Sequence, residues 1–351
     1  LGAERHVLLI DMHHIISDGE SVNILEREFA ALYSGGELPE IRNQYKDYSA
    51  WQNARLSAGD LKREEEYWLG KFEGEVPVLN LPTDHARPSR KSFRGSRTSI
   101  SLNSETVSGI KDMAAHSRAT IFMVLYTAFH ILLSRYSGQD DIVVGIPVVG
   151  RRHPDTLDLI GMFVNTLAVR SNPAWDKTFA AFLDEVRSDL IGAYENQNYP
   201  VERLVEKVCP TRDLSRNPLF DTCFVLQNMD ISLMKADKLE FAPRIIDTGT
   251  TKFDLTLEAD VTPAGIRIGA EYSTDLFSEN TIDRFLSHYR NVLHAVLADD
   301  QIAIGKIPLL SQEEKTSLIT GFSDTDASFP DDETIDSIFD ACVTSYPERT
   351  A

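Results

Sequence analysis

The sequence predicts a mixed α/β fold (α+β mixed sheets), in which strands and helices follow one another without strict alternation. Two segments carry this prediction. Thr120–Tyr136 is apolar nearly all round, which is typical of a buried helix, and Asp141–Val149 is a short apolar run typical of a buried strand. The 351 residues are 42% hydrophobic and 25% charged, an ordinary globular balance that argues against a disordered chain.

The amino-terminal part is predicted to begin with a buried strand, Val7–Met12, followed by a polar loop and a helix. That helix carries an apolar stripe and ends at the pair Gly35-Gly36, since glycine commonly terminates helices. Two further helices, Asp47–Leu56 and Leu61–Phe72, are expected next. Proline and arginine are frequent in Glu75–Gly95, which predicts an extended connector.

Hydrophobic periodicity predicts the elements of the larger, carboxy-terminal part. The expected strands, besides Asp141–Val149, are Ser96–Leu102, Phe163–Arg170, Phe220–Gln227, Lys252–Val261 and Gly265–Tyr272. The expected helices, besides Thr120–Tyr136, are one that Asn103 and Ser104 can cap, Phe179–Glu195 and Thr281–Leu297.

The two ends of the sequence predict a piece of a longer polypeptide. Leu1 leads almost directly into a predicted buried strand, with no cap or signal sequence before it. Residues 311–333 are acidic and rich in Ser, Asp and Pro, which predicts a linker. Thr334–Val343 is amphipathic, and a new domain is expected to start there, over 334–351.

Composition limits the classes of partner. With 35 Lys and Arg against 54 Asp and Glu, the net charge of −19 argues against nucleic acid or an anionic membrane as partner. No stretch approaches the ~18 apolar residues of a membrane span. Three cysteines lie far apart, at positions 209, 223 and 342, with no metal-ligand spacing, which fits a reducing, cytoplasmic location and buried thiols.

The segment Met12–Ser21 (MHHIISDGES) is the sharpest local candidate for a functional site. Adjacent residues of an extended chain point opposite ways, so His13 and His14 are not expected to share a metal. One histidine facing a cleft suits proton transfer or hydrogen bonding near pH 7. Asp18 can orient the loop through a buried ion pair, and Gly19 can supply an unusual backbone conformation or its N–H. The alternative from spacing alone is a turn with satisfied hydrogen bonds.

Five segments, in order along the chain, resemble motifs of one enzyme family. They are Met12–Gly19 (MHHIISDG), Tyr45–Trp51 (YKDYSAW, with Ser49 as a small departure), Ile160–Arg170 (IGMFVNTLAVR), Asn198–Phe220 (NYPVERLVEKVCPTRDLSRNPLF) and Lys252–Leu255 (KFDL). Together they are similar to the condensation domains of nonribosomal peptide synthetases over residues 1 to about 310. The tail, including Tyr346–Ala351 (YPERTA), resembles the passage into an adenylation domain.

This resemblance implies a two-lobe fold similar to chloramphenicol acetyltransferase, with a tunnel between the lobes. Residues 1–75 would be the remainder of the N-terminal lobe, 76–95 the connector and 96–310 the C-terminal lobe. The partners implied are an upstream and a downstream peptidyl carrier domain and the adjoining adenylation domain. Each carrier would present a thioester on its own 4'-phosphopantetheine, and no cofactor is expected to be bound by this segment. The reaction implied is attack of the acceptor's amine on the donor's thioester, giving an amide.

By the same resemblance His14 faces the tunnel, as a general base or by positioning the amine, and His13 supports the loop. Asp18 would hold the motif through a salt bridge, and Gly19 would contribute its N–H or its geometry. Asn165 and Ser17 are candidates to line the tunnel, although Asn165 is as readily interpreted as a turn amide bonded to backbone.

Several further residues are weighed as contacts. Arg151 and Arg152 are candidates to meet an acidic carrier or the pantetheine phosphate. A cluster formed by Arg212, Asp213 and Arg216 is better interpreted as a surface ion-pair network than as a carrier contact. The tryptophans Trp51 and Trp68 are expected to be core or interface anchors.

One departure from the family pattern is large. Most of the N-terminal lobe that precedes the histidine motif in relatives is absent, and with it the basic residue expected to pair with Asp18. The segment alone is therefore predicted to be inactive. The alternatives are an epimerisation domain with the same motif, a free-standing acyltransferase that uses coenzyme A, and a non-catalytic platform that docks carriers. The acidic linker and the late motifs disfavour the second, and the intact His14 and Asp18 disfavour the third.

Overall fold

The computed structural model describes residues 6–209, 211, 213–227, 234–236, 239–241, 246–262, 265–321 and 333–349, the side chains of 234–236 excepted. The chain divides into two units, Leu1–Leu309 and Leu310–Ala351. Arg212 lies outside the described residues, so the predicted cluster around it is described only through its other members.

The larger unit contains most of the regular structure. Its helices are α1 Gly19–Tyr33, α2 Tyr45–Ala58, α3 Lys62–Lys71, α4 Ser104–His116, α5 Ile121–Ser137, α6 Phe179–Glu195, α7 Val201–Val208 and α8 Glu279–Ala298. Its strands are β1 Gly95–Ser101, β2 Ile142–Val148, β3 Asn165–Ser171, β4 Thr222–Gln227, β5 Met234–Ala236, β6 Leu239–Phe241, β7 Leu255–Thr262 and β8 Gly265–Ser273. The mixed fold class predicted from sequence is confirmed.

Six strands form one mixed sheet in the order β1-β8-β7-β4-β2-β3. Strand β4 pairs parallel to both β2 and β7, and the remaining pairs are antiparallel. Gly145 of β2 lies beneath the ring of Phe220, where an added Cβ would come within 2.2 Å of a ring carbon. The short strands β5 and β6 form a separate antiparallel pair.

The core lies between this sheet and the helices α4, α5, α6 and α8. Every residue of α5 from Met123 to Ser134 is buried, as the uniformly apolar sequence of this helix predicts. Helix α8 buries one face only, which agrees with its amphipathic pattern. Trp68 of α3 is also buried, and its indole N–H donates to the carbonyl of Asn196 over 2.9 Å.

The predicted strand Val7–Met12 is wrong. Residues 6–12 have no regular structure, and the side chains of Val7, Leu8 and Leu9 are more than half exposed. A short apolar run without alternation has no periodicity that distinguishes a strand from another segment, and a strand also needs a partner for its backbone.

Trp51 is half exposed, so of its two predicted roles, a core anchor or an interface anchor, it does not fill the first.

The predicted connector is extended and is fastened to the carboxy-terminal part of the unit. Arg87 forms an ion pair of 2.5 Å with the buried carboxylate of Asp254 and also donates to the carbonyl of Ser215. Arg216 pairs with Asp221 over 2.6 Å and donates to the carbonyl of Leu79. Arg216 is therefore part of an ion-pair network, although a partly buried one.

In its described residues the smaller unit contains the short α-helices α9 Gln312–Thr316 and α10 Ile335–Ser345, with a π-helical turn, Ser317–Gly321, directly after α9. Helix α10 is capped by Thr334, and Ile335, Phe339 and Val343 on it are exposed. Across the described residues, no single helix has both the length and the apolar character needed to cross a membrane; α4 and α5, bent by 105° at their junction, meet that test only as a pair.

Candidate functional site

The loop that carries the two histidines is a single tight turn followed at once by α1. His14–Ile16 form one turn of 3₁₀ helix, and Asp18 caps α1 by accepting from the backbone N–H of Ser21 over 2.8 Å. Aspartate is a favoured capping residue because its carboxylate satisfies a free N–H at the helix start. The sequence Asp18-Gly-Glu-Ser21 therefore fixes both where the loop ends and where the helix begins.

The imidazole of His14 is exposed, and its tautomer follows from one hydrogen bond. Its Nδ1 lies 2.7 Å from the carbonyl oxygen of Ser17. Because a carbonyl only accepts, Nδ1 carries the hydrogen, and in the neutral ring Nε2 is left with its lone pair. His14 therefore presents an acceptor nitrogen that can take a proton or hold an amine.

His13 has the opposite arrangement. Its Nδ1 accepts the backbone N–H of Ile15 over 3.0 Å, so in the neutral ring the hydrogen is on Nε2. His13 caps the turn and supports the loop, and only His14 offers a basic nitrogen outward. This difference distinguishes two adjacent residues that look equivalent in the sequence.

The loop is fixed by a buried ion pair between Asp18 and Arg151. Asp18 Oδ1 lies 2.9 Å from Arg151 Nη2, and the two side chains are 0% and 1% exposed. Burial by itself raises the pKa of the Asp18 carboxyl, but hydrogen bonds from Ser21, Arg151 and the N–H of Phe163 outweigh it and hold that pKa below its ordinary value. Asp18 is therefore an anion inside the fold.

This pair corrects two predictions. Arg151 is wrong as a carrier contact, because its guanidinium is buried, donates to the carbonyls of Thr156 and Leu159 over 2.6 Å, and stacks 4.1 Å from the ring centre of Phe163. The basic partner of Asp18 is therefore present in this chain, 133 residues downstream, rather than in an absent segment. Arg152 is exposed and remains a candidate contact.

Ser21 joins the motif loop to a second segment of the chain. Its hydroxyl lies 2.7 Å from Asp18 Oδ1 and 2.9 Å from the carbonyl of Gly161, and it accepts from the N–H of Gly161 and from Arg151, both over 3.0 Å. The residue is fully buried. A single hydroxyl thus holds α1, Arg151 and Gly161 together.

Close packing at two glycines brings Phe163 to the loop. Gly150 has φ +70°, and a Cβ there would lie 2.0 Å from the carbonyl oxygen of Phe163. A Cβ on Gly161 would meet the ring of Tyr45 at 2.2 Å. Tyr45 in turn donates to the carbonyl of Met162 over 2.7 Å. Glycine is required at both positions because no side chain fits.

A small cavity of about 210 Å³ lies beside this segment, between α2 and the start of α7. Its walls include Trp51, Arg55, Phe163, Asn165 and Glu202. The guanidinium of Arg55 lies 5.1 Å from the ring centre of Trp51. Of the residues singled out in the motif loop and at the tunnel, only Asn165 lines this cavity; His14 does not.

Both polar groups of the Asn165 side chain are hydrogen-bonded to backbone. Its amide donates to the carbonyls of Gln197 and Tyr199 over 2.8 Å, and its oxygen accepts the N–H groups of Thr166 and Val201. The interpretation as a turn amide is therefore correct, and the side chain shapes the cavity wall with its polar atoms already engaged. It fixes the first turn of α7 to the first residues of β3.

Two other candidates differ from expectation. Ser17 is 5% exposed and its hydroxyl donates to the carbonyl of His13, so the prediction that it lines a tunnel is wrong. Gly19 is the first residue of α1 and does not have a positive φ, so no special backbone angle is needed there. Nothing lies within 4 Å of the position a Cβ would take, which leaves open space above the start of the helix.

Sequence reasoning missed Ser21, Gly150 and Gly161. A local signal existed only for Ser21, which is the third residue after a capping aspartate. The two glycines act through contacts with segments more than ten residues away, which no spacing rule detects. Within the described residues, no three His, Cys, Asp or Glu side chains converge as a metal site would require.

A six-stranded mixed sheet packed against helices, with the histidine loop at the start of α1, defines the chain as a mixed α/β protein. The profile of the condensation domain matches residues 1–319, and the chain belongs to the condensation-domain family of nonribosomal peptide synthetases. Tyrocidine synthase 2 of Brevibacillus parabrevis is 44% identical over 351 residues, all of this chain and 10% of that protein. Bacitracin synthase 3 of Bacillus licheniformis is 44% identical over 348 residues, 99% of this chain and 6% of that protein.

The solved structures agree in fold. The condensation domain from the Monacolin K polyketide synthase MokA superposes with a TM-score of 0.73 at 21% identity, covering 83% of this chain and 69% of that one. The chain thus spans 10% and 6% of these two synthetases and 69% of that solved chain.

Proposed function

We propose that this chain carries the amide-forming site of a condensation domain. The donor is an aminoacyl or peptidyl thioester on one peptidyl carrier, and the acceptor is the α-amine of an aminoacyl group on a second carrier. The observation that carries the proposal is the exposed imidazole of His14, whose Nδ1 is hydrogen-bonded to the carbonyl of Ser17, on a loop fixed by the buried Asp18–Arg151 pair. Membership of the condensation-domain family supports it.

The reaction needs one bond made and one broken. The amine nitrogen attacks the thioester carbonyl carbon, the C–S bond of the tetrahedral intermediate breaks, and the pantetheine thiol leaves. One proton lost by the amine ends on the departing thiolate, and Nε2 of His14 is placed to hold the amine and to carry that proton between them. A thioester is an activated acyl group, so positioning of the two reactants supplies much of the rate increase.

The carriers bring the thioesters on their own 4'-phosphopantetheine, and this chain needs no bound cofactor. Exposed Arg152 is the residue proposed to contact an acidic carrier or the pantetheine phosphate, since Arg151 is unavailable. Residues 334–349 are proposed to begin an adenylation domain, which fits the exposed apolar residues of α10.

A further N-terminal lobe is proposed to cover the exposed apolar face around the motif. Ile15 and Ile16 of the loop and Leu32 and Tyr33 of α1 are each more than half exposed, which an isolated soluble fold rarely leaves uncovered. The matched solved domain has a further third of its length beyond the part superposed. We expect the chain without that lobe to be inactive, because one wall of the reaction site is then missing.

The test is an amide-formation assay on the complete condensation domain, with both carriers loaded and the product identified by mass spectrometry. Dipeptidyl thioester with the unaltered protein, and loss of it with His14→Ala, supports the proposal. His13→Ala is the matched control for the adjacent ring, and it should retain more activity. Exchange of the α-proton without amide would support an epimerisation domain instead. No reaction with either protein, with carrier binding retained, would support a docking platform.

A further inference from the structure

A second, larger cavity of about 740 Å³ lies along α7, with Val201, Val205 and Glu206 of that helix in its lining. Its floor is Val143 of β2 and Thr166 of β3. Its walls come from the connector, from α7 and from the loop before β4. They are mostly aliphatic and aromatic, and include Val76, Val78, Leu79, Phe93, Val201, Val205, Leu214, Leu219, Phe220 and Phe253. A volume of this size with this lining is typical of sites for small organic ligands.

Both cations that line the cavity, Lys91 and Arg216, are paired with carboxylates inside the fold, while the carboxylates of Glu202, Glu206 and Asp213 lie exposed at its margin. Arg216 pairs with Asp221 over 2.6 Å. The ammonium of Lys91 lies 3.9 Å from Asp254 and donates to the carbonyl of Lys252. With these cations paired inside the fold, the cavity favours a neutral, apolar group.

The walls also hold strained backbone and exposed apolar surface. Among the described residues, the non-glycine residues with positive φ are Phe93, Arg118 and Leu219, and two of these three line this cavity. Such conformations are unfavourable for residues with a side chain, and they cluster at ligand sites. Three apolar residues that line the cavity, Val78, Phe93 and Leu214, are 49%, 54% and 63% exposed, and contiguous exposed apolar surface of this kind marks binding grooves.

The large cavity adjoins the small one and lies within reach of the histidine loop. Glu202 lines both cavities, and the neighbours Asn165 and Thr166 line one each. The N–H of Phe163 is 3.1 Å from Asp18 Oδ2, and Thr166 follows three residues later, a distance of ~10 Å in extended chain. The large cavity therefore lies about three residues of extended chain from Phe163, which contacts the histidine loop.

We propose that the large cavity binds the apolar portion of the acyl or peptidyl donor, away from its reacting thioester. This inference rests on the proposed function, because it assigns a subsite to the substrate of that reaction. A donor is tethered through its carboxyl end, so its side chain or acyl chain must lie elsewhere. Binding energy from such a remote group is available to hold the reacting carbonyl in place.

Cys209 lines this cavity and serves as a reporter. The experiment measures alkylation of Cys209 by iodoacetamide in the full synthetase chain, resolved by peptide mass spectrometry, with added octanoylglycinamide. At a probe concentration ten times its dissociation constant, occupancy predicts that alkylation slows about tenfold. Acetylglycinamide, with the same amide head and no long chain, should leave the rate unchanged. Cys342, which is exposed in the smaller unit, is the internal control.

A matched pair of variants tests whether the protection of Cys209 comes from binding in the large cavity. Val78→Glu places a charge on the apolar rim, whereas Ile191→Glu makes the same change at a residue of α6 that lines neither cavity and is 48% exposed. We expect octanoylglycinamide to protect Cys209 in the unaltered protein and in Ile191→Glu, and to protect it far less in Val78→Glu. Both positions are on the surface, so each variant should fold.

Three results overturn the inference: no protection of Cys209 up to the solubility limit of the probe, equal protection by acetylglycinamide, or undiminished protection in Val78→Glu. The amide-formation assay is separate. If amide forms and depends on His14 while Cys209 is never protected, the proposed function stands and the subsite is wrong.

Discussion

Asp18 and Arg151 form an ion pair of 2.9 Å from which water is excluded, and this pair fixes the histidine loop to a segment 133 residues away in the sequence. Arg151 also donates to the carbonyls of Thr156 and Leu159. Asp18 also caps α1 and accepts the N–H of Phe163. The position of His14 therefore depends on a contact between two distant parts of the chain.

Breaking this pair from either side should unfold the loop. We expect Arg151→Met or Asp18→Asn each to lower the free energy of unfolding by about 3–5 kcal/mol, because the remaining partner is left buried and unpaired. The double variant should lose less than the sum of the two losses. Chemical denaturation of the four proteins measures this. Arg152→Met, at the exposed neighbour, is the control and should change stability by less than about 0.5 kcal/mol.

Removing the Ser21 hydroxyl should destabilise the same region. Ser21→Ala leaves the N–H of Gly161 and one contact of Arg151 without an acceptor inside the fold. The expected cost is about 1–3 kcal/mol, the penalty for buried polar groups without partners. Ser188→Ala removes an exposed hydroxyl that donates only to the carbonyl of Asp184 and should cost little. Equal losses in the two variants would contradict the assigned role.

The two histidines should show opposite tautomers in the neutral state. We expect the ring of His14 to carry its hydrogen on Nδ1 and that of His13 on Nε2. Nitrogen-15 chemical shifts of the imidazoles, recorded above about pH 8, where an ordinary imidazole is neutral, distinguish the two forms. If His14 proved to be protonated on Nε2, it would have no outward basic nitrogen, and its proposed role in proton transfer would be lost.

Gly19→Ala should leave the fold intact. Its backbone is an ordinary helix start and a Cβ would meet nothing within 4 Å, so we expect stability to change by no more than about 0.5 kcal/mol. If amide formation nevertheless falls, the open space above the helix start is occupied by substrate. Gly150→Ala is the contrast, because its Cβ would lie 2.0 Å from a carbonyl oxygen and should unfold the loop.

Acid should destabilise the core through His130. Burial lowers the pKa of this ring to about 3, and neither ring nitrogen has a hydrogen-bond partner within the described structure. The folded state therefore keeps the ring neutral, while the unfolded chain takes up a proton below about 6.5. Above about pH 6.5 His130 therefore costs the folded state nothing. Below that value the free energy of unfolding falls by about 1.4 kcal/mol per pH unit.

His130→Leu should remove this part of the acid sensitivity. The free energies of unfolding are measured at about pH 7 and about pH 5 for the variant and for the unaltered chain. The difference between the two proteins separates the contribution of His130 from that of the carboxylates. His85→Leu makes the same change at an exposed histidine and is the control for a histidine-to-leucine replacement outside the core. An identical pH slope in the unaltered protein and in His130→Leu would show that this ring does not titrate as inferred.

Hydrophobic pattern in the sequence located most of the regular elements of the larger unit, although α7, β5 and β6 were not predicted. Phe179–Glu195 was predicted with its observed bounds, and the buried helix Thr120–Tyr136 was displaced by only one residue at each end. The apolar run Val7–Met12 failed because hydrophobicity alone does not show what a segment packs against. Periodicity shows which face of its own helix or strand a residue occupies. It does not show which other segment packs against that face.

The sequence by itself determined the mixed fold class and the motif that marks the loop. Only the tertiary structure decided that Arg151 is the buried partner of Asp18, that Ser21 joins two segments, and that the two histidines have opposite tautomers. The reason is physical. Local patterns follow from the geometry of neighbouring residues, whereas ion pairs and buried hydroxyl contacts depend on which distant backbone the fold brings within hydrogen-bonding distance.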